Sequence, residues 1–172
     1  MALITETGTG DPAAESLCSV ADALAYHAAR GNDAWALLIT SAQEAALRQA
    51  TAYMESYYRE RYAGFRQSVT QALCWPRAWV QIKDAPSGYG RFAAYYPQNA
   101  VPVLVANACA SLALRASTGA LTPDLDRETL SEGVGGISIT YREGAPQFVR
   151  FREIDLMLSP FMLPAGTSLV RA

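Results

Sequence analysis

Lysine is almost absent: only Lys83 stands among the 14 basic residues of the 172-residue chain, which 16 acids outnumber for a net charge of −2. That balance excludes a whole-chain basic field for duplex DNA. Charged residues make up 17% of the chain, below the usual quarter, so some apolar surface is expected to need a partner. Histidine occurs once, as His27, which leaves no second imidazole for a metal pair and no evident Ser or Cys relay. The cysteines Cys18, Cys74 and Cys109 lie far apart without CxxC or Cys/His spacing, which reads as buried thiols in a reducing cytosol rather than zinc ligands. No run of 18 apolar residues occurs and the opening segment lacks a basic n-region, so the expectation is a protein neither carrying a standard signal peptide nor spanning a membrane.

Motifs that signal enzymes fail in context. "GTGDPA" fits G-x-G-x-x-A through Gly8, Gly10 and Ala13, but Pro12 removes an amide from any phosphate cradle and no parallel strand with a terminal acid follows. A capping turn is the better reading. "GVGG" at 133–136 lacks the Lys-Ser/Thr of a phosphate loop, and Asp124, Asp126, Glu128 and Glu132 lack the central glycine of a calcium loop. No catalytic residues, metal or cofactor are expected.

What the chain does have is helical period. Ser19 caps a helix over about 20–30, with Val20, Ala23, Leu24, His27 and Ala28 on one stripe, and Gly31 stops it. His27 then lies at the edge of a buried face, a packing residue with one hydrogen bond. Thr40 and Gln43 fit a capping box opening a helix that runs to Tyr62, with Leu47, Ala50, Met54, Tyr57 and Tyr58 inward and Glu44/Arg48 and Glu55/Arg59 as i,i+4 pairs. An extended connector holding Trp75, Pro76 and Trp79 follows, then a loop over 83–99 whose aromatics are expected to dock on something. The helix from Pro102 to about Ser117 is apolar nearly all round, broken only by Asn107, Ser111 and Arg115. About four helices can hardly surround it, so Leu104, Ala108 and Leu112 are expected at a subunit interface. Alternation at Ile137, Ile139 and Tyr141 predicts a β-hairpin over about 136–151, and a short helix places Ile154, Met157, Leu158 and Phe161 on one face. The expected fold is mainly α: a small helical bundle of about four helices with one β-hairpin, a single domain over 1–163, and a C-terminal arm over 164–172 offering Leu169, Val170 and Arg171 to a partner.

"YMESYYRERYAGFR" interleaves tyrosines with arginines, a combination that stacks on and neutralises single-stranded nucleic acid. Tyr58, Arg59, Arg61 and Arg66 are the candidate contacts. Against this, several of those aromatics fall on the inward face, and Glu55 and Glu60 dilute the charge.

The order "SLCSVADALAYHAARGN", "EAALRQAT", "QALCWPR", the Pro-started apolar helix, "SEGVGGISITY" and "IDLMLSPFM" resembles the head-tail connector, or adaptor, proteins of tailed bacteriophages, whose relatives are often labelled DnaT-like single-stranded-DNA-binding proteins. The Ser-Val-x-x-Ala-x-x-Tyr-His-x-x-Arg-Gly segment and the Trp-Pro-Arg turn carry most of this likeness. The resemblance implies a structural, non-enzymatic adaptor: a ring, commonly a dodecamer, docked on the portal protein above a head-closure or tail protein. Viral double-stranded DNA would pass through the lumen without sequence-specific binding. The location implied is the phage neck of the virion, assembled in the bacterial host cytoplasm, with no membrane partner. The alternative function is a single-stranded-DNA-binding accessory protein.

Overall fold

The computed structural model describes residues 2–85, 94–123 and 149–163 with their side chains, and the backbone of 131–134 and 137–140. Helix α1 spans Val20–Ala28, capped by the Ser19 hydroxyl, which accepts from the Asp22 amide. Gly31 adopts a left-handed φ of 68° with open space around it, the stop expected of it. The buried face of α1 is Ala23, Tyr26 and His27; Leu24 and Ala28 face outward, so Tyr26 takes the place expected of Leu24. Helix α2, Thr40–Tyr58, continues as a 3-10 turn over Arg59–Arg61. The capping box does not form: Ile39 is the N-cap, and the Gln43 amide donates instead to the Trp35 carbonyl at 2.9 Å. Leu47, Ala50, Met54 and Tyr58 are fully buried on its inner face, and Glu44 with Arg48 (3.7 Å) and Glu55 with Arg59 (3.9 Å) form the two expected pairs.

Helix α3, Val103–Ala116, packs against α1, α2 and α4 (Arg152–Leu158). This corrects the expected subunit interface. Ala108 and Leu112 have no exposed surface and are enclosed by the chain itself, while Leu104 alone of the three is open, at 40%. The alanines and Cys109 along α3 let neighbouring helices approach closely, so fewer elements suffice to surround it. The polar stripe is shared between the core and the surface, with Ser111 buried and Arg115 partly exposed. Ser111 donates to Glu153 of α4 at 3.4 Å, and Arg115 pairs with the other oxygen of the same carboxylate.

The hairpin also differs in its pairing. Strand Ile137–Thr140 exists, but its partner is the preceding Ser131–Val134, in antiparallel register Ser131↔Thr140, Glu132↔Ile139, Gly133↔Ser138 and Val134↔Ile137. The return strand expected downstream lies mostly outside the described residues, and Val149 and Arg150 are not in a strand. The arm residues Leu169, Val170 and Arg171 also lie outside the described residues.

His27 is 1% exposed. Nε2 sits 3.0 Å from the Ala110 carbonyl of α3, and Nδ1 lies 3.3 Å from the Asn32 amide nitrogen. These partners assign the neutral tautomer, with Nε2 donating and Nδ1 accepting. Burial holds the pKa below its ordinary value, against the raising effect of the Ala110 carbonyl. The unfolded chain therefore takes up a proton before the folded one, and stability from this group is complete above about pH 6.5 and lost as pH falls below it. Melting temperature is expected to decline from pH 7 to pH 5 more steeply in the wild type than in His27→Gln. His27→Asp should cost about 1–3 kcal/mol at neutral pH, through a poorly paired buried charge. Identical pH profiles for wild type and His27→Gln would contradict this assignment.

Candidate nucleic-acid interface

Past the 3-10 turn the chain is tied to its far end: the Ala63 amide donates to the Phe161 carbonyl at 2.8 Å and the Leu163 amide to the Arg61 carbonyl at 2.9 Å. Gly64 follows with φ 68°, where a Cβ would stand 2.2 Å from the Ala78 carbonyl oxygen. Only glycine lets the two segments meet so closely. They form strand β1 (Phe65–Arg66) paired antiparallel with β2 (Arg77–Ala78); the hairpin strands are β3 (Ser131–Val134) and β4 (Ile137–Thr140). The run after β2 then pairs with 94–96, through Ile82 N to Ala94 O (2.8 Å) and Tyr96 N to Val80 O (2.9 Å).

The buried side of this patch explains the Trp-Pro-Arg segment. Trp75 is fully buried and meets Tyr62 and Phe161 edge to face at 5.5 and 5.4 Å. The buried Arg77 guanidinium donates to four backbone carbonyls: Ala63 (2.8 Å), Gly64 (2.8 Å), Tyr62 (3.3 Å) and Cys74 (3.3 Å). Burial draws its pKa below the usual arginine value. The segment is a staple, and its guanidinium is not available to a ligand.

The outer side is unlike the rest of the connector. Phe65 is 72% exposed, Trp79 60% and Tyr95 42%, and Trp79 and Tyr95 lie edge to face at 5.4 Å. Trp79 has φ 62°, a left-handed conformation in which a bulky side chain is strained. Of the loop aromatics expected to dock, Tyr96 packs on Phe161 (5.0 Å) and Tyr95 on Trp79, whereas 86–93 lie outside the described residues.

The four sequence candidates separate. Tyr58 is fully buried, donates to Asp155 at 2.9 Å, and is held protonated by burial first and by that carboxylate second. It cannot meet a nucleic acid, because its helical position follows the inward stripe of Leu47, Ala50 and Met54. Arg59 is exposed beside Glu55. Arg61 is exposed, its guanidinium 5.3 Å from the ring centres of Tyr57 and Tyr58. Arg66 is half-buried and donates to the Gln71 carbonyl at 3.1 Å. Lys83, which sequence reasoning passed over, reaches the carbonyls of Ser159 (3.4 Å) and Met162 (3.2 Å). Phe65 belongs to the aromatic and arginine motif and Tyr95 to the loop expected to dock, whereas Trp79 was missed as a contact; the one signal for it was a tryptophan directly after a β-favouring segment.

Other sites hold less chemistry. The Glu6 carboxylate accepts from the amides of Gly8 (2.7 Å), Gly10 (3.0 Å) and Asp11 (2.8 Å), so the amides of "GTGDPA" are turned onto the chain's own side chain. All three cysteines are buried and free; burial raises each thiol pKa, Cys109 to about 11, which suppresses thiolate chemistry. A cleft of about 760 Å³ between α2 and residues 116–122 is lined by groups such as Gln49, Ser56 and Thr118, with no acid, histidine or cysteine. Among the described residues no cluster of three or more His, Cys, Asp or Glu could hold a metal, and no helix is long and apolar enough to cross a membrane.

No curated protein and no solved structure matches the chain. One family, described as "Putative DnaT-like ssDNA binding protein", matches residues 1–172, the full sequence, and the chain belongs to that family.

Proposed function

We propose that this protein binds single-stranded DNA on the patch formed by β1, β2 and the 94–96 segment. The observation that carries the reading is the exposed Trp79–Tyr95 pair, with exposed Phe65 on the same small sheet. Every base has a face that stacks on such rings, whereas a duplex hides those faces. Arg61, Arg66 and Arg59 stand at the adjoining end of α2 and on β1 as phosphate partners, and family membership supports the same class of ligand. Neither a metal nor an enzymatic step is part of this reading.

Tryptophan fluorescence tests it cleanly, because Trp35 and Trp75 are fully buried and Trp79 is the exposed one of the three. Adding a thymidine oligonucleotide at low salt should quench the exposed emission, and duplex of equal length should not. Neutralising two or three phosphates gives a slope of log affinity on log salt of roughly −1.5 to −2. No quenching and no anisotropy change at low salt would refute the proposal.

A second reading, a non-enzymatic structural adaptor in a phage neck, is favoured by a specific feature. Leu37 and Ile39 before α2, Val103 and Leu104 at the start of α3, and Leu156 on α4 are large and exposed. Such surface suits packing between subunits of a ring on a portal protein, with the arm at 164–172 reaching that partner. Rings in negative-stain images and co-sedimentation with portal protein, lost on removing 165–172, would support it; a monomer that ignores portal rings would exclude it.

A further inference from the structure

We propose that Gln81 holds the Watson–Crick edge of a base stacked on the Trp79–Tyr95 pair, so that the patch takes an unpaired base of any identity and rejects a paired one. The inference rests on the single-stranded-DNA reading and names the side chain that would read the ligand. Gln81 and Tyr95 stand directly opposite one another in an antiparallel bridge. The bonds on either side, Ile82 N to Ala94 O (2.8 Å) and Tyr96 N to Val80 O (2.9 Å), make this the non-hydrogen-bonded kind of pair, in which side chains lie closest. Val80 is buried and Ile82 half-buried, so Gln81 between them points outward, on the side of the exposed Tyr95 ring. Trp79 meets that same ring at 5.4 Å. An exposed amide thus stands at the stacking pair.

Its chemistry fits the task. Of the exposed side chains Phe65, Trp79, Gln81 and Tyr95, only Gln81 sets a donor and a separate acceptor side by side. Among the described residues that amide has no hydrogen-bond partner. The buried glutamines differ: Gln43 donates to the Trp35 carbonyl, and Gln71 to those of Leu73 (2.8 Å) and Pro76 (3.0 Å). Adenine and cytosine present an amine beside a bare ring nitrogen, and guanine and thymine a carbonyl beside a ring N–H. A half-turn of the amide matches either order, so the contact is indifferent to base identity. In a duplex the same atoms are bonded to the opposite base, which leaves them open only in a single strand. Stacking asks for a free face, and Gln81 adds a demand for a free edge.

Trp79 emission of the full chain tests this at low salt. One titrant is a thymidine oligonucleotide; the other is an equal length of N3-methylthymidine, which keeps the stacking faces and phosphates but loses the N–H that the amide oxygen would accept. Wild type should bind the methylated strand about 3- to 10-fold more weakly, the loss of roughly one hydrogen bond. Gln81→Ala should bind the thymidine strand more weakly by a similar factor and should no longer distinguish the two, with melting temperature as in wild type. Wild type that binds both strands alike, or a Gln81→Ala variant that either matches wild type or keeps the preference, would overturn the role of Gln81 and leave the stacking reading in place. Wild type that binds neither strand would overturn both.

Discussion

Replacing Arg77 by alanine is expected to cost about 3–5 kcal/mol, because it leaves four backbone carbonyls without their shared donor. Its guanidinium is the shared donor for carbonyls at Tyr62, Ala63, Gly64 and Cys74. Each orphaned carbonyl carries a penalty of roughly 1–3 kcal/mol, and entry of water into the vacated space keeps the total below their sum. For a domain of this size the melting temperature should fall by roughly 6–20 °C. Arg77→Lys should recover only part of the loss, because an ammonium cannot reproduce a planar fork reaching four acceptors. Urea denaturation decides the matter: a loss under about 1 kcal/mol for Arg77→Ala would mean that the carbonyls find other partners.

Trp79 should behave in the opposite way, with a large effect on ligand and little on fold. Trp79→Ala should weaken binding of single-stranded DNA by roughly 5- to 150-fold, the equivalent of one stacked base at about 1–3 kcal/mol. Trp79→Gly should do the same while leaving stability close to wild type. Glycine relieves a left-handed strain of about 1–2 kcal/mol, offset by chain entropy of roughly 0.5–1 kcal/mol and by the lost contact with Tyr95 of about 0.5–1.5 kcal/mol. Titration and thermal melts on the same samples separate the two effects. Unchanged affinity would remove Trp79 from the interface, and a collapse in melting temperature would make it a structural residue.

Helices were the legible part of this sequence because period, caps and glycine stops are local. Ser19, Gly31 and the stripe through Leu47, Ala50 and Met54 all act as their positions suggest. The surroundings of α3 were not legible. An apolar helix looks alike whether its own chain or a neighbour covers it, and the small residues that let α1, α2 and α4 close around it carry no label for either. That Ser111 and Arg115 share Glu153 as a partner could not be read, because Glu153 is distant in sequence. For the hairpin, Ile137 and Ile139 were recognisable as strand, but the partner was sought beyond Gly144 and Pro146. The two glycines at 135 and 136 offer the shorter closure on the other side. In the candidate interface, the inward period of α2 argued against Tyr58 and decided the matter. Trp79 went unseen because a left-handed backbone at a tryptophan has no signature in residue type.

The solitary lysine makes the protein its own reporter. Lys83 is the one side-chain primary amine in the sequence, and it clasps the carbonyls of Ser159 and Met162, where the connector meets the turn that follows α4. An acylating reagent therefore has one side-chain amine to modify, and Lys83 is exposed to it. Once acylated, the nitrogen loses its charge and most of its donors, which removes the two side-chain bonds and leaves the backbone bonds of Ala63 to Phe161 and of Leu163 to Arg61 in place. One reagent thus separates what the side chain adds to this junction from what the backbone alone holds.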